Sequence, residues 1–523
     1  YLELGPDFVE LLNGDFAIAL LDRRNSRLLL YKDRLGVKPL YYYWNASGVF
    51  AFASEIKAFV AAGIDLSIDE RAVQQYFAFK YVPRDDTLFS NVKRLHPGSV
   101  LELDIEAKSF SQRRYWTPDC SSSTARLSYS DGKARLLELL EDAVRIRLVS
   151  DVPVGSFLSG GVDSSAIAYF LRDEPRLTHF CARKSEVDIR KEGTTADFPA
   201  ALRLSKDWRL RLRPADIGQK NLTLHHIAQT VYHSDDLIAD GSQIPSFEIA
   251  RAASASCPVM LSGMGADEIF YGYASHVLTL LAIYFDKLPT AVAKHVASLF
   301  GRLDQGRGTF KAYRRWLHRF GRYYADADRR FGAFAIVGDL ENSMRLLKKH
   351  ESPVRDVITE YFPIERDPFE SLTRFELDNF LVKNLNYFDR TCMAHGVEGR
   401  VPFMDHRLVE FALSLPRNYK MSHLGRQKRI LKDALHAKVP NHILSRRKAG
   451  FGMPLRSIFS NMEMIDELLE VDFFGGFEMF DIDHIRLIVS AHVDGREDNS
   501  AIIYALISYQ EWYKQFCRQE VTA

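Results

Sequence analysis

A short stretch rich in glycine and serine carries the clearest chemical signal in the sequence. Residues Leu158 to Ser165 read Leu-Ser-Gly-Gly-Val-Asp-Ser-Ser and stand between an apolar run and a helical pattern. In such a loop, backbone N–H groups close around phosphate oxygens, hydroxyls add donors, and the next helix N-terminus attracts the same anion. The lysine of the GxxxxGK[ST] phosphate loop is missing. We therefore predict a different phosphate-binding loop, made of Ser159, Gly160, Gly161, Asp163, Ser164 and Ser165.

An aspartate inside a phosphate-binding loop requires a compensating cation. The economical candidate is Mg²⁺, bridging Asp163 to pyrophosphate oxygens. Further along the chain, residues 261–268 read Leu-Ser-Gly-Met-Gly-Ala-Asp-Glu, again at the end of an apolar run. We expect the two loops to face one nucleotide, with Asp163 and Asp267 sharing the metal. Ser262 and Gly263 would then contact the base or the ribose.

The elements around these loops predict a parallel sheet. Short apolar runs at residues 153–158, 178–182 and 258–261 alternate with helical patterns such as residues 166–171. This βαβ alternation is typical of a parallel sheet whose ligands lie beyond the carboxyl ends of its strands. Ahead of the sheet, leucine or valine recurs every four residues from Leu136 to Leu148, which predicts a helix with one buried face.

The beginning of the chain has a different pattern. Short β-like runs at residues 15–21, 27–31 and 48–53 are separated by turn signals, which predicts a mostly β region. Beyond Trp116 the sequence becomes polar and loses its apolar periodicity, which predicts a linker.

The composition argues against several classes of protein. Lys and Arg number 69 and Asp and Glu 68, so the net charge of +1 favours neither nucleic acid nor an anionic membrane as a partner. Five scattered cysteines lack zinc-site spacing and indicate a reducing cytoplasm. No apolar run approaches the ~20 residues that span a bilayer. Only the basic and aromatic residues 287–322 would suit nucleic acid, and we favour a solvated helical face with an apolar inner stripe.

Several motifs, in order along the chain, resemble one enzyme family. Besides SGGxDSS, residues 262–273 follow SGxGxDExFxGY, residues 396–405 follow GxExRxPFxD, and residues 448–454 follow KxGFxxP. Together they resemble the glutamine-dependent asparagine synthetases of class B, over nearly the whole chain. The resemblance implies an α/β protein. A partial N-terminal nucleophile-type αββα glutaminase domain would precede a parallel-sheet synthetase domain of the PP-loop, adenine-nucleotide α-hydrolase-like type, with a helical insertion.

The glutaminase resemblance covers only part of that domain. Residues 5–20, 33–41 and 53–58 are similar to the second half of the family's glutaminase domain. The first half, with the family's N-terminal cysteine nucleophile, is not visible, and we expect it upstream of Tyr1. The expected organisation is residues 1–116 for this domain, 117–128 for a linker and 129–523 for the synthetase domain.

The resemblance also implies a mechanism. In the family, a carboxylate attacks the α-phosphate of Mg·ATP, pyrophosphate leaves, and ammonia from glutamine converts the acyl-adenylate to an amide. Lys448 would neutralise charge in the transition state, and Glu268 would act as a base near the ammonia. By residue matching, Phe157 and Ala182 pack the adenine. The implied acceptor pocket contains Met264, Asp267, Arg400 and Asp405.

Two departures from the family pattern leave the acceptor open. Met264 stands where asparagine synthetases have an acid, and residues 184–197 lack an expected Asp-Glu pair. The acceptor is then aspartate or a larger, less polar carboxylic acid. One alternative is an adenylating cyclase of the β-lactam synthetase or lasso-peptide cyclase type, which uses an internal amine. Another is a catalytically inactive scaffold or a nucleic-acid-binding protein. We expect glutamine, ATP, Mg²⁺ and a small carboxylic acid as partners, and neither nucleic acid nor a membrane. The sequence does not decide whether the protein forms a homodimer.

Overall fold

The computed structural model describes most of the chain and divides it into an N-terminal part and a C-terminal part. The described residues are 1–118, 127–174, 176–184, 197–218, 223–302, 311–326, 330–336, 340–348, 353–446, 451–459 and 462–517. We call residues 1–118 the N-terminal part and residues 127–517 the C-terminal part. The four cysteines within these ranges are all free.

The N-terminal part is built from two antiparallel sheets. The first has the order β1 (Ala17–Asp22), β2 (Arg27–Lys32), β6 (Ser99–Asp104) and β7 (Ser109–Arg114). The second has the order β4 (Phe50–Ala53), β3 (Tyr41–Trp44) and β5 (Val92–Arg94). Leu30 and Leu101 from the first sheet pack against Tyr42 and Trp44 from the second. The predicted β-rich region is confirmed, and its two sheets share an apolar core.

The C-terminal part contains a five-stranded parallel sheet, which confirms the fold predicted from the βαβ alternation. The order is β10 (Arg211–Ile217), β9 (Thr178–Lys184), β8 (Val154–Phe157), β11 (Val259–Leu261) and β12 (Glu398–Arg400). Leu261 lies opposite Ser156 of β8 on one side and Arg400 of β12 on the other. Because β8 and β11 are neighbours and run parallel, the loops that follow them emerge side by side.

Helices make up much of the rest of the described structure. In the described ranges they are α1 (Lys57–Ala61), α2 (Glu70–Phe79), α3 (Tyr129–Ile146), α4 (Val162–Leu171), α5 (Asp197–Trp208), α6 (Leu224–Ser234), α7 (Gln243–Ser254), α8 (Ala266–Phe270), α9 (Ala274–Phe285), α10 (Thr290–Gly301), α11 (Lys311–Tyr323), α12 (Arg330–Ala335), α13 (Leu340–Arg345), α14 (Pro353–Tyr361), α15 (Pro368–Phe375), α16 (Val382–Met393), α17 (His406–Ser414), α18 (Arg417–Lys420), α19 (Arg429–Ala434), α20 (Asn441–Leu444), α21 (Leu455–Ile458), α22 (Met462–Leu468), α23 (Ile482–Val493) and α24 (Ser500–Phe516).

Short irregular helices complete the set. They are 3₁₀ turns at Gly5–Leu11, Pro402–Met404 and Val471–Gly476, and a π-helical turn, Glu376–Leu381, which joins α15 to α16. Within the described ranges, no helix is long and apolar enough to cross a membrane.

The basic and aromatic segment is part of the helical insertion. Helices α10 and α11 lie so close that a Cβ on Gly321 would overlap the backbone of Gly301. Phe320 is fully buried and stacks on Tyr324, with their ring centres 5.0 Å apart. The inner face of α11 therefore packs into a local apolar core, in agreement with the favoured interpretation.

The two parts of the chain are joined by a buried polar network. Asp236 accepts hydrogen bonds from Arg94 Nη2 at 2.6 Å and from Tyr41 OH at 2.9 Å. Asn386 Nδ2 of α16 donates to the same Tyr41 oxygen at 3.2 Å. Beside this network, helix α24 packs its buried aromatic residues against α2. The N-terminal part thus fixes the position of α16, which reaches the candidate site.

Candidate active site

Two glycines shape the loop that follows β8. Gly160 has φ +68°, and a Cβ there would lie 2.7 Å from the backbone nitrogen of Ala201, so glycine is required. Gly161 precedes α4, and no described side chain caps the first turn of that helix. The hydroxyl oxygens of Ser159 and Ser164 lie 3.1 Å apart in the same loop and first helical turn. An uncapped helix N-terminus with two adjacent hydroxyls is chemically suited to bind phosphate.

The loop that follows β11 lies directly against the first loop. A Cβ on Gly263 would be 2.8 Å from Ser164 N and 2.9 Å from Asp163 C, which are both backbone atoms. Ser262 N donates to Arg400 O at 2.8 Å, so this loop is still tied to the neighbouring strand β12. The absence of a side chain at Gly263 allows the two loops to touch.

The two loop aspartates converge on one ammonium group, that of Lys428. Lys428 Nζ lies 2.7 and 2.6 Å from the two carboxylate oxygens of Asp163 and 2.6 Å from Asp267 Oδ1. Burial lowers the pKa of Lys428, but attraction to both carboxylates outweighs burial, so the pKa is raised and the side chain stays charged. The predicted pairing of Asp163 with Asp267 around a cation thus has a geometric counterpart, formed by a residue that the motifs did not indicate.

The turn after α8 makes room for this arrangement. Gly272 N donates to Asp267 O at 2.8 Å, and Lys428 N donates to Phe270 O at 3.2 Å. A Cβ on Gly272 would overlap both Asp267 Oδ1 and Lys428 Cε. The glycine of the SGxGxDExFxGY pattern therefore leaves the space in which the lysine stem crosses the loop.

Asp163 and Asp267 are a donor set that fits Mg²⁺. This ion is commonly held by one or two carboxylates, while water and phosphate oxygens complete its octahedron. A cluster of three or more His, Cys, Asp or Glu side chains suited to a metal is not found among the described residues. Two carboxylates already arranged around one cation, next to the predicted phosphate-binding loop, fit the open kind of magnesium site. When bound, the ion would neutralise phosphate charge.

Glu268 is buried beside this pair and is held by two donors. Tyr273 OH donates to Glu268 Oε1 at 2.8 Å, and Asn384 Nδ2 of α16 donates to the same oxygen at 3.0 Å. The second oxygen, Oε2, has no hydrogen-bond partner among the described groups. Burial and the nearby Asp267 charge raise the pKa of Glu268, and the hydrogen bond from Tyr273 offsets part of that rise. A fixed carboxyl group with one unused oxygen is suited to proton transfer.

The remaining predicted nucleotide and acceptor residues lie on the same sheet or loops. Phe157 ends β8, and its ring centre is 5.8 Å from that of Phe388. Ala182 is buried near the end of β9, and Ser165 is fully buried in α4. Met264 is half-buried and packs against the main core. Their proposed contacts with adenine, phosphate and acceptor stay predictions.

Lys448 lies outside the described residues, but segments on both sides of it are described. Before it, Arg446 donates to two carbonyl oxygens of the phosphate loop at 3.3 and 3.2 Å and pairs with Asp197 at 2.7 Å. After it, Gly452 O accepts a hydrogen bond from Lys184 Nζ at 2.6 Å. The residue two positions before the KxGFxxP element is therefore attached to the phosphate loop, and a glycine within the element is attached to β9.

The other two acceptor-pocket predictions make their side-chain contacts elsewhere. Arg400 donates to the carbonyl oxygens of Arg147 and Val149, both at 2.8 Å, and pairs with Glu398. Asp405 caps α17 and pairs with Arg147 at 3.2 Å. These contacts hold β12 and α17 against the end of α3, and the structure does not bring either side chain to the two loops. A role for Arg400 or Asp405 in the acceptor pocket stays a prediction without support from these contacts.

Three residues of the site carried no motif signal. Lys428 and Asn384 come from distant helical segments, and Arg446 resembles an ordinary surface residue in the sequence. The sequence indicated Lys428 only indirectly, because two aspartates in adjacent buried loops require a positive charge nearby. The sequence does not say which of its many lysines supplies it.

Comparison with known proteins identifies a family for each part of the chain. Residues 135–514 match the family described as asparagine synthase, and residues 1–116 match the glutamine amidotransferase domain. The chain is 29% identical to glutamine-hydrolyzing asparagine synthetase 1 of Bacillus subtilis, over 96% of this chain and 77% of that protein. A putative glutamine-hydrolyzing asparagine synthetase of Mycobacterium bovis is 30% identical, over 100% of this chain and 79% of its own length.

A fungal relative has a different name. Amidase chyE of Penicillium rubens is 28% identical, over 87% of this chain and 71% of that protein. The family match covers well over half of the residues, and it includes both loops, Glu268 and Lys428. This chain therefore belongs to the asparagine synthase family.

Proposed function

We propose that the chain is a carbon–nitrogen ligase, an ATP-dependent and glutamine-hydrolysing amidotransferase. It activates a carboxylic acid as an acyl-adenylate with release of pyrophosphate and then amidates it with ammonia derived from glutamine. The acceptor is aspartate or another carboxylic acid. Family membership supports the reaction class, and the site geometry supports the assignment of individual residues.

The observation that carries the proposal is the meeting of the two loops. Asp163 and Asp267 approach one cation position, beside the uncapped N-terminus of α4 and the hydroxyls of the phosphate loop. The triphosphate would lie along this loop, and Mg²⁺ would be held by the two carboxylates. Pyrophosphate is the leaving group, so a loop that stabilises its charge lowers the barrier to adenylation.

The nitrogen-transfer step is assigned to Glu268, and Lys448 is assigned to the adenylation step. Glu268 has the burial, the two hydrogen-bond donors and the raised pKa that suit a base, which takes a proton from ammonium so that ammonia can attack. Lys448 is assigned by its motif to the charge that develops in the transition state as pyrophosphate leaves. Arg446 supports that assignment, because it attaches the preceding segment to the phosphate loop.

The proposal is tested by the products formed from ATP. Protein that includes any residues upstream of Tyr1 is incubated with Mg²⁺, ATP, glutamine and a panel of carboxylic acids. We expect AMP and pyrophosphate only with an acceptor, and the amide when glutamine or ammonium is added. Release of ADP and phosphate instead would refute adenylation. Asp163→Asn serves as the inactive control, because it removes one proposed metal ligand and keeps the side-chain volume.

The adenylating cyclase remains the second candidate because of Met264. A thioether at this half-buried position accepts hydrogen bonds only weakly, so it does not replace an acid that would bind a polar acceptor. A relative named amidase is compatible with acceptors other than aspartate. The two candidates differ in nitrogen balance. Product that forms without glutamine or ammonium, by loss of water from the acceptor alone, would establish the cyclase and exclude the amidotransferase.

A further inference from the structure

Lys428 fills the position between the two carboxylates that the proposed metal would use. Its Nζ makes close contacts with both Asp163 oxygens and with Asp267, and only 8% of its side chain is exposed. Direct Mg²⁺ ligation occurs at about 2.0–2.1 Å and needs the same carboxylate oxygens. An ammonium group and the metal cannot occupy this position together.

The charge balance of the site differs between the two occupants. One ammonium between two carboxylates leaves one net negative charge, which is a modest demand for a buried site. Adding a divalent ion while Lys428 stays in place would leave a net positive charge in the same buried volume. A polyphosphate supplies the negative charge that makes both cations tolerable. The free site therefore carries only one unit of net charge without metal, and the nucleotide-bound site needs the metal to offset the phosphate charge.

The lysine also has the means to move. Its backbone is held by the hydrogen bond from Lys428 N to Phe270 O at 3.2 Å and by its place just before α19, and its ammonium group is held by the two carboxylates that a metal would take over. The stem crosses the space left by Gly272, where a Cβ would overlap Lys428 Cε. A four-carbon stem with three donors on its head can exchange two carboxylates for phosphate oxygens of a bound nucleotide.

We propose that Lys428 is an internal counter-ion that holds the metal position in the free enzyme and yields it when nucleotide arrives. Metal binding and nucleotide binding then become strongly coupled, and the free protein binds divalent cations weakly. The inference rests on the proposed function in one respect, namely that Asp163 and Asp267 are the metal ligands. It goes further, because Lys428 would pair with the two carboxylates in the free enzyme and with phosphate oxygens once nucleotide is bound.

The experiment measures Mn²⁺ binding by electron paramagnetic resonance, with and without α,β-methylene-ATP, and needs no turnover. We expect wild-type protein to bind Mn²⁺ tightly only with the nucleotide. Lys428→Met should bind Mn²⁺ without nucleotide at least about tenfold more tightly than wild type. Lys438→Met is the matched control, because Lys438 lies ten residues after Lys428, is exposed and has its Nζ over the ring of Tyr169. It should behave as wild type.

The outcomes separate this inference from the proposed function. If wild type binds Mn²⁺ with nucleotide but Lys428→Met binds it no more tightly than wild type without nucleotide, the counter-ion role is refuted and the proposed function stands. If wild type binds no Mn²⁺ even with nucleotide, the metal site itself is wrong. Adding Asp267→Asn to Lys428→Met should abolish the gained binding. If Lys428→Met fails to fold, Lys428→Gln keeps a donor and removes the charge, with the same expected gain.

Discussion

Replacing Gly263 with alanine tests the closest contact between the two loops. The new Cβ would lie 2.8 Å from Ser164 N, 2.9 Å from Asp163 C and 3.0 Å from Asp163 Cβ. Ordinary contact begins near 3.4 Å, so the loops must separate by 3.4 − 2.8, or about 0.6 Å, and the obstructing atoms are mainly backbone. Overpacking of this kind costs about 1–3 kcal/mol of stability. It also moves Asp163 away from Asp267.

The expected functional loss follows from that displacement. A misplacement of about 1 Å in a catalytic arrangement can lower activity about 100-fold, so about 0.6 Å should cost roughly tenfold or more. We expect Gly263→Ala to weaken the affinity for α,β-methylene-ATP with Mg²⁺ by about tenfold in isothermal titration calorimetry, and to slow pyrophosphate release at least as much. Gly475→Ala is the matched control, because a Cβ there meets nothing within 4 Å and its φ is not positive. Wild-type affinity and unchanged thermal stability in Gly263→Ala would contradict the loop contact.

Three further predictions concern other contacts of the site and the core. Glu268→Gln should lower kcat for amide formation about 100-fold. The base must be ionised, and its pKa is raised above the ordinary glutamate value of 4.5, so wild-type activity should already fall at a pH above 4.5 when the solution is acidified. The variant should not show this fall in its pH profile. Arg446→Ala should weaken nucleotide affinity several-fold in calorimetry, with Arg446→Lys intermediate. Asp236→Ala leaves Arg94 buried without its carboxylate and should cost about 3–5 kcal/mol in urea unfolding; Arg71→Ala, which breaks an exposed ion pair, should cost below ~1 kcal/mol.

The strands that position the site were predictable because they are short apolar runs that end in glycine and serine. Residues 154–157 and 259–261 form strands within one or two positions of the predicted runs. Strands β10 and β12 were missed for physical reasons. Both are edge strands, where burial demands less apolar sequence, and β10 has four exposed positions, of which Pro214 is one. The three residues of β12 contain two charged side chains and no apolar run.

The site was predictable where its chemistry is local in sequence, and unpredictable where it depends on packing. Each loop contains its own glycines, hydroxyls and aspartate, so its character can be inferred from a few residues. Lys428 is separated from Asp163 by 265 positions, and only the fold brings the two together. Asn384 of α16 likewise reaches Glu268 of α8 only in the folded chain, and no pattern in either segment encodes that contact.

Helix α16 connects the proposed base to the N-terminal part through side chains only a few residues apart. Asn384 holds Glu268, Asn386 joins the network of Tyr41 and Asp236, and Asp389 pairs with Lys38 at 2.6 Å. All three α16 side chains are buried, and each has a polar partner, as burial of polar groups requires. Because neighbouring turns of a helix keep fixed spacing, the contacts with the N-terminal part also set where Asn384 stands. The position of Glu268 therefore depends on the docking of two parts of the chain that perform different steps of the proposed reaction.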